Sequence, residues 1–177
     1  EVESRGTPVE YDGRKAVQVV VRDLTDQRRR ERQLAALNRI SRDIAAADAR
    51  PAIAETAVDA AVTLLEDPTA GVFEAVEGSL LALAAAGADT GFQPDGRGLP
   101  LDSVEMAAYR AGSPRLVEDY AAREDALTGS LESVFLLPLA DYGLLWVGSP
   151  DGFASADRDA LEILARSVVA AFDRLAD

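Results

Sequence analysis

A nearly continuous apolar run, SVFLLPLADYGLLWVGSP at 133–150, is the feature that most limits how this chain can fold. It divides into two strand-like halves at a turn around 141–143. Strands that are apolar on both faces lie in the interior of a covered sheet. The run therefore predicts the two strands at the centre of a sheet.

A second pair of strand-like segments lies at the start of the chain, around Asp12-Gly13. Asp-Gly between two β-rich runs is a strong hairpin signal, and Val17, Val19 and Val21 line one face of the second run. Because an isolated hairpin is marginal in water, we expect this one to belong to a larger sheet. The start at EVES, without Met, suggests that the other strands lie in a longer protein.

Residues 25–47 predict a helix, because they contain strong helix formers and no Gly or Pro. Thr25 is a natural N-cap. An arginine-rich collar at 28–32 suggests DNA or membrane contact only weakly, since acids dilute it and no aromatic residue accompanies it. A solvated face is the simpler interpretation. A narrow apolar stripe with the 3-4-3 spacing of a coiled coil, which we call a seam, is formed by Leu34, Leu37, Ser41 and Ile44. A helix with so few apolar positions needs a partner, most simply a second copy of itself.

The segments between these landmarks alternate between helix and strand signals. A helix is predicted from Pro51 to the stop at Asp67-Pro68, followed by two strands about Glu77-Gly78. Residues 87–98 form a polar loop with four glycines. A short helix, capped by Asp102 or Ser103 and ended by Gly112, precedes a strand at 113–120. The last helix starts at Ser155, and its 3-4-3-4 seam includes Leu161, Leu164, Val168 and Leu175.

The charge distribution excludes several partners. The chain has 18 basic and 31 acidic residues, and its first 33 residues are nearly neutral, so residues 34–177 carry a net charge of −14. A surface this negative repels phosphate backbones and anionic membranes. One Lys against 17 Arg fits either a high-salt cytosol or a GC-rich genome. No apolar run approaches the roughly 20 residues that span a bilayer, so we expect a cytoplasmic protein without membrane insertion.

Catalytic signals are missing from the sequence. Cys and His are absent, which removes the commonest nucleophile, general base and metal ligands. The carboxylate pairs Glu118/Asp119 and Glu124/Asp125 suggest acid–base chemistry, but pairs arise by chance among 31 acids. No phosphate loop, nucleophile elbow or metal spacing is present. We therefore predict no catalytic residues and no metal site.

Two family resemblances follow from these segments. GTPVEYDGRKAVQVVVRDLTDQ at 6–27 resembles the last two strands of a PAS domain, with Asp23-Leu24-Thr25 similar to the Asp-Ile-Thr signature before an output helix. The rest of the chain resembles a GAF domain in its order of elements and in three segments. They are Gly-Leu-Pro-Leu at 98–101, GSPRLVED at 112–119 and the block LPLADYGLLWVGSPDGFASADRDALEILA at 137–165.

These resemblances imply an organisation and a fold. A PAS hairpin is expected at 1–24, a signalling helix at 25–47 and a GAF domain at 48–177. The implied fold class is α/β in layers, an antiparallel sheet with the terminal helices on one face and loops with a short helix on the other. The combination resembles haloarchaeal sensor histidine kinases and regulators of the bacterio-opsin activator type.

The resemblance also bears on cofactors. GAF domains attach bilins through Cys and usually hold haem through His, and the GAF-type methionine sulfoxide reductases use cysteines, so none of these is expected here. The Asn-Lys-Phe-Asp motif of cyclic-nucleotide-binding members is absent. An unknown, non-covalent small ligand remains, unless the side chains fill the space and the domain only relays. The candidate pocket residues are Leu99, Leu101, Met106, Tyr109, Arg110, Tyr120, Phe135 and Leu137.

The expected function is regulatory. A small-molecule or conformational signal would pass through dimeric helices to an output domain in the same full-length chain, either a kinase or a DNA-binding domain, with no direct nucleic-acid binding by this segment. The alternative function is a purely structural dimerisation module without a cavity. The alternative to dimerisation is that both helices pack on the sheet of their own chain. A parallel homodimer would use Leu34, Leu37, Ile44, Leu161, Leu164, Val168 and Leu175.

Overall fold

The computed structural model describes residues 2–87 and 96–177. The chain divides into two compact units, Glu1–Ala35 and Ala36–Asp177. Residues 88–95 of the expected polar loop lie outside the described residues. Across the described ranges, no helix has the length and apolar character needed to cross a membrane.

The first unit holds a β-hairpin and the start of a helix. Strands β1 (Val2–Tyr11) and β2 (Arg14–Asp23) pair antiparallel from Tyr11↔Arg14 to Val2↔Asp23. The turn residues Asp12 and Gly13 have φ of 54° and 73°, as a two-residue hairpin turn requires, so the predicted hairpin is confirmed. Val17, Val19 and Val21 share one face and are each more than half exposed.

Helix α1 (Thr25–Ala46) begins directly after the hairpin, as predicted. The carboxylate of Asp23 accepts hydrogen bonds from the backbone N–H and the hydroxyl of Thr25, at 2.9 and 2.6 Å. Both bonds favour the charged form and hold the pKa of Asp23 below its ordinary value.

The second unit is built on a five-stranded antiparallel sheet in the order β4-β3-β7-β6-β5. The central strand β7 and its neighbour β6 come from the apolar run at 133–150, so the predicted sheet centre and the α/β layered fold are confirmed. The elements after α1 are α2 (Arg50–Leu64), β3 (Thr69–Val76), β4 (Ser79–Gly87), α3 (Val104–Ala111), β5 (Arg115–Val117), β6 (Ser133–Pro138), β7 (Gly143–Ser149) and α4 (Ser155–Ala176).

The sheet separates two apolar cores. On one face, which we call the helix face, side chains of α2, α4 and the last turns of α1 pack on the sheet around Ile53, Leu145 and Leu161. On the other, which we call the loop face, α3 and the segment from 117 to 131 pack around Tyr120, Leu136 and Trp146. The side chains of β7 alternate between these cores, because successive residues of a strand point to opposite faces.

The two predicted seams lie in a different environment from the one expected. Five of their side chains are at most 4% exposed within a single chain, because they pack on the helix face of its own sheet. They therefore do not form an open surface for a second copy. Leu34 is 56% exposed and Leu175 is half-buried. Homodimerisation itself stays a prediction. The five buried residues are Leu37, Ile44, Leu161, Leu164 and Val168.

Candidate functional site

The short helix α3 is fixed over the loop face by caps at both ends. Ser103 accepts a hydrogen bond from the Met106 N–H at 3.2 Å, and Gly112 ends the helix in the left-handed conformation at φ 67°. The carboxylate of Asp125 accepts the Val104 N–H at 3.1 Å. These bonds satisfy N–H groups that a helix start leaves without intrahelical partners.

The most unusual group on this helix is Glu105, whose side chain has no solvent exposure. Its Oε1 accepts two hydrogen bonds, one from the Tyr120 hydroxyl at 2.6 Å and one from the Trp146 indole N–H at 3.2 Å. Its Oε2 has no donor anywhere in the part of the chain that the structure describes. Burying a carboxylate is costly unless its oxygens are paired, so the half-satisfied Glu105 makes this position a candidate site.

Tyr120 connects the carboxylate to the covering loop. Its hydroxyl donates to Glu105 and accepts the Leu127 N–H at 2.9 Å, and its ring meets Trp146 edge to face at 5.8 Å between centroids. Burial, and then the negative charge of Glu105, raise the pKa of Tyr120 far above its ordinary value. The hydroxyl therefore stays protonated and acts as a hydrogen-bond donor.

Trp146 brings the same cluster onto the central strand. It pairs with Gly71 on one side and Leu136 on the other, and Gly71 pairs in turn with Ala85. Leu145 and Val147, the neighbours of Trp146 in β7, lie in the core of the helix face. Trp146, which contacts Glu105, is therefore directly bonded along the strand to two residues that contact the helices.

The predicted pocket residues separate into three groups. Leu99, Met106 and Tyr120 are buried together on the loop face, and Tyr109 packs against them. Leu101 and Arg110 are exposed, and Arg110 donates to the Leu101 carbonyl at 3.0 Å, outside the buried cluster.

The structure places Phe135 and Leu137 apart from the buried candidate pocket residues Leu99, Met106 and Tyr120. Both point to the helix face, because β6 alternates and it is Val134 and Leu136 that reach the loop face. Leu137 instead lines an open groove of about 410 Å³ with Pro138 of β6 and Ala165 and Val169 of α4.

Glu105 and Trp146 were not predicted as site residues from the sequence. Glu105 lies in the first turn of a short helix, where an acidic residue ordinarily faces solvent and favours the helix dipole. Two signals were available: Trp146 is the only Trp of the chain, and it lies in the run predicted as the sheet centre. An indole N–H buried there needs an acceptor.

The chemistry that this arrangement offers is hydrogen bonding and charge. Within residues 2–87 and 96–177, no group of three or more Asp or Glu side chains is placed to hold a metal ion. The cluster instead presents one free carboxylate oxygen among apolar and aromatic side chains. Such a group accepts hydrogen bonds from a ligand and fixes its orientation.

Comparison with known proteins supports the fold. No protein-family model and no curated protein sequence matches this chain. A protein described as a GAF sensor from Burkholderia vietnamiensis is 21% identical with a TM-score of 0.71, over 84% of this chain and 99% of that one. The free methionine-R-sulfoxide reductase of Neisseria meningitidis, solved with its substrate, is 19% identical with a TM-score of 0.69, over 81% of this chain and 90% of that one.

A third similar structure is the chromophore-binding domain of a bacteriophytochrome from R. palustris. It is 11% identical with a TM-score of 0.65, over 98% of this chain and 70% of that one. At these identities the similarity establishes a GAF-like fold.

Proposed function

We propose that this chain is a sensory module that binds a small molecule on the loop face of its sheet and relays occupancy to its helices. The observation that carries the proposal is the free Oε2 of Glu105, a buried acceptor without a donor among the described residues. Burying such a group without a partner lowers the free energy of unfolding, and a bound ligand removes that penalty. The similarity to a GAF sensor and to a chromophore-binding domain supports the same role.

The relay would run through β7 to the helices. Trp146 touches the site, while Leu145 and Val147 pack beneath the helices on the other face. There, α1 and α4 are joined by a hydrogen bond between the hydroxyls of Ser41 and Ser167 at 2.9 Å. Arg174 also donates to the Ala47 carbonyl just after α1. A shift of β7 would thus move two bonded helices together.

The larger assembly belongs to the same proposal. The hairpin would be the end of a PAS domain, α1 a signalling helix, and the output a histidine kinase or a bacterio-opsin activator-like regulator. The similarity to the bacteriophytochrome domain, which extends over 98% of this chain, supports a sensor of this kind. A homodimer would have to use surfaces other than the five buried seam residues, with Leu34 as the exposed member.

Native mass spectrometry tests the proposal, with two variants that differ only in the face they fill. Ala85 packs on the loop face and Ala86 on the helix face, and both are half-buried. We expect the wild-type chain to retain a small molecule. Ala85→Phe should lose it because the new ring is added on the loop face, and Ala86→Phe should keep it because its ring is added on the helix face.

The outcomes separate the candidate functions. A wild-type chain without any added mass, both as purified and after incubation with a metabolite extract, would contradict the sensory proposal. If that bare chain is a dimer, the purely structural dimerisation module takes its place. Equal retention by Ala85→Phe and Ala86→Phe would contradict the location of the site.

A further inference from the structure

We propose that the site at Glu105 takes a small organic cation with an N–H donor, of which a primary ammonium group is the simplest example. This inference rests on the proposed function, because it names the ligand class of the same site. It starts from the unequal use of the two carboxylate oxygens. Oε1 takes both protein donors, whereas Oε2 takes none from the described residues.

The charge of the carboxylate selects against other ligand classes. Each carboxylate oxygen has two acceptor positions, so Oε2 needs a donor rather than another acceptor. Tyr120 and Trp146 supply neutral donors, so the hydrogen bonds that Glu105 makes with the described residues bring no positive charge to its carboxylate. A buried charge is costly unless it is paired and hydrogen-bonded. A ligand with an N–H group and a positive charge provides both the missing hydrogen bond and the missing ion pair. An anion does not provide the ion pair.

The surroundings of the carboxylate favour an organic cation over a hydrated metal ion. Phe73, Tyr120 and Trp146 are each at most 1% exposed and belong to one apolar cluster. Aromatic rings attract cations, and apolar walls bury a hydrocarbon stem. A metal ion would need several oxygen ligands, and the described residues contain no such group.

Arg123, a cation on the segment that covers this cluster, is already engaged. Arg123 donates to both carboxylate oxygens of Asp125, at 2.8 and 3.1 Å, and Asp125 also accepts the Val104 N–H. Arg123 is therefore held on another carboxylate rather than on Glu105. The second unit as a whole adds to the preference, since residues 36–177 contain 10 basic and 24 acidic residues, a net charge of −14. This field raises the local concentration of cations.

Three matched probes test the ligand class on the whole chain. Propylammonium carries charge and N–H donors, tetramethylammonium carries charge without N–H, and propionate carries the opposite charge. The readout is the dissociation constant, obtained from the rise in unfolding midpoint with probe concentration. Sodium chloride at equal ionic strength corrects for general screening of the acidic surface.

We expect propylammonium to stabilise the wild type, and tetramethylammonium to bind at least tenfold more weakly. Glu105→Gln should weaken propylammonium binding at least tenfold, because it removes the charge and keeps the shape. Glu162→Gln, on a half-buried carboxylate of α4, should leave it unchanged. The comparison of the two cations needs no variant, so it stands even if Glu105→Gln does not fold.

Four results would overturn the ligand class. The first is equal binding of both cations, and the second is propylammonium binding that Glu105→Gln leaves unchanged. The third is binding of propionate in place of propylammonium, and the fourth is a retained molecule without a cationic N–H group. In that last case the sensory proposal stands while the ligand class fails. If no probe binds and the wild type retains no mass, both proposals fail.

Discussion

The indole N–H of Trp146 donates to Oε1 of Glu105 over 3.2 Å, which joins the central strand of the sheet to a helix 41 residues earlier in the chain. The same oxygen accepts the Tyr120 hydroxyl, so three elements meet on one atom. Any group that binds the remaining oxygen acts on all three elements. This shared acceptor is the structural reason for proposing a ligand site on the loop face.

Tyr120→Phe should destabilise the fold. The substitution removes one donor to Glu105 and leaves the Leu127 N–H without its acceptor. Because unsatisfied buried groups cost about 1–3 kcal/mol each, we expect the free energy of unfolding to fall by about 2–4 kcal/mol. Chemical denaturation measures this loss.

Tyr142→Phe is the matched control for that prediction. Its hydroxyl donates to Asp173 at 2.8 Å on the surface, where water replaces the lost partner. The loss of stability should therefore be much smaller than for Tyr120→Phe. Equal losses in the two variants would mean that the Glu105 cluster contributes no more than a surface hydrogen bond.

Stability should fall at alkaline pH through Tyr120. Its pKa is raised in the folded state, so the folded chain keeps a proton that the unfolded chain loses above its ordinary pKa of about 10. The contribution is fully present below about pH 10, and above it the free energy of unfolding falls by up to about 1.4 kcal/mol per pH unit. Denaturation at several pH values should show this slope in the wild type and its loss in Tyr120→Phe. Tyrosinate absorbance that shows Tyr120 ionising near pH 10 in the folded chain would refute it.

Gly143→Ala should strongly destabilise the chain. Gly143 starts β7 at φ 154°, and an added Cβ would overlap the carbonyl oxygen of Phe73 in β3. The backbone pair Glu74↔Gly143 would have to separate, so we expect a loss of at least about 2 kcal/mol by thermal or chemical denaturation. Gly129→Ala is the control, because no atom lies within 4 Å of its added Cβ. A tolerated Gly143→Ala would show that the start of β7 is not held as closely as described.

Glu substitutions distinguish the single-chain core from a dimer seam. Leu164 is fully buried on the helix face, so Leu164→Glu should unfold the second unit, with a loss above about 4 kcal/mol. Leu34→Glu, at a residue that is 56% exposed, should leave the fold intact and dissociate any dimer that α1 forms. Circular dichroism and light scattering report the two effects. A folded, monomeric Leu164→Glu chain would restore the seam interpretation of α4.

The sequence predicted those parts of the fold that depend on neighbouring residues. Asp12-Gly13 specifies its turn locally, and Ser103 and Gly112 specify the ends of α3 through their own backbone preferences. The apolar run at 133–150 identified the sheet centre because a strand that is buried on both faces is apolar at nearly every position, whichever elements cover it.

The differences from the structure arose where tertiary contacts decide the outcome. A continuous apolar strand carries no alternation, so Phe135 and Leu137 could not be assigned to a face. Any helix with one apolar face shows a 3-4 spacing. The spacing therefore does not tell whether that face packs on a second copy of the helix or on the chain's own sheet. Glu105 is buried only because Tyr120 and Trp146, distant in sequence, supply its donors.

The most direct test of the central claim is a ¹⁵N–¹H spectrum of the Trp146 indole, which is unique because the chain has a single Trp. The spectrum is recorded with and without the retained small molecule, or during titration with propylammonium. We predict that the indole resonance moves together with backbone amides of α4, because Trp146 donates to the proposed acceptor and β7 packs beneath that helix. An indole resonance that stays in place while a ligand binds would put the site elsewhere and contradict the account.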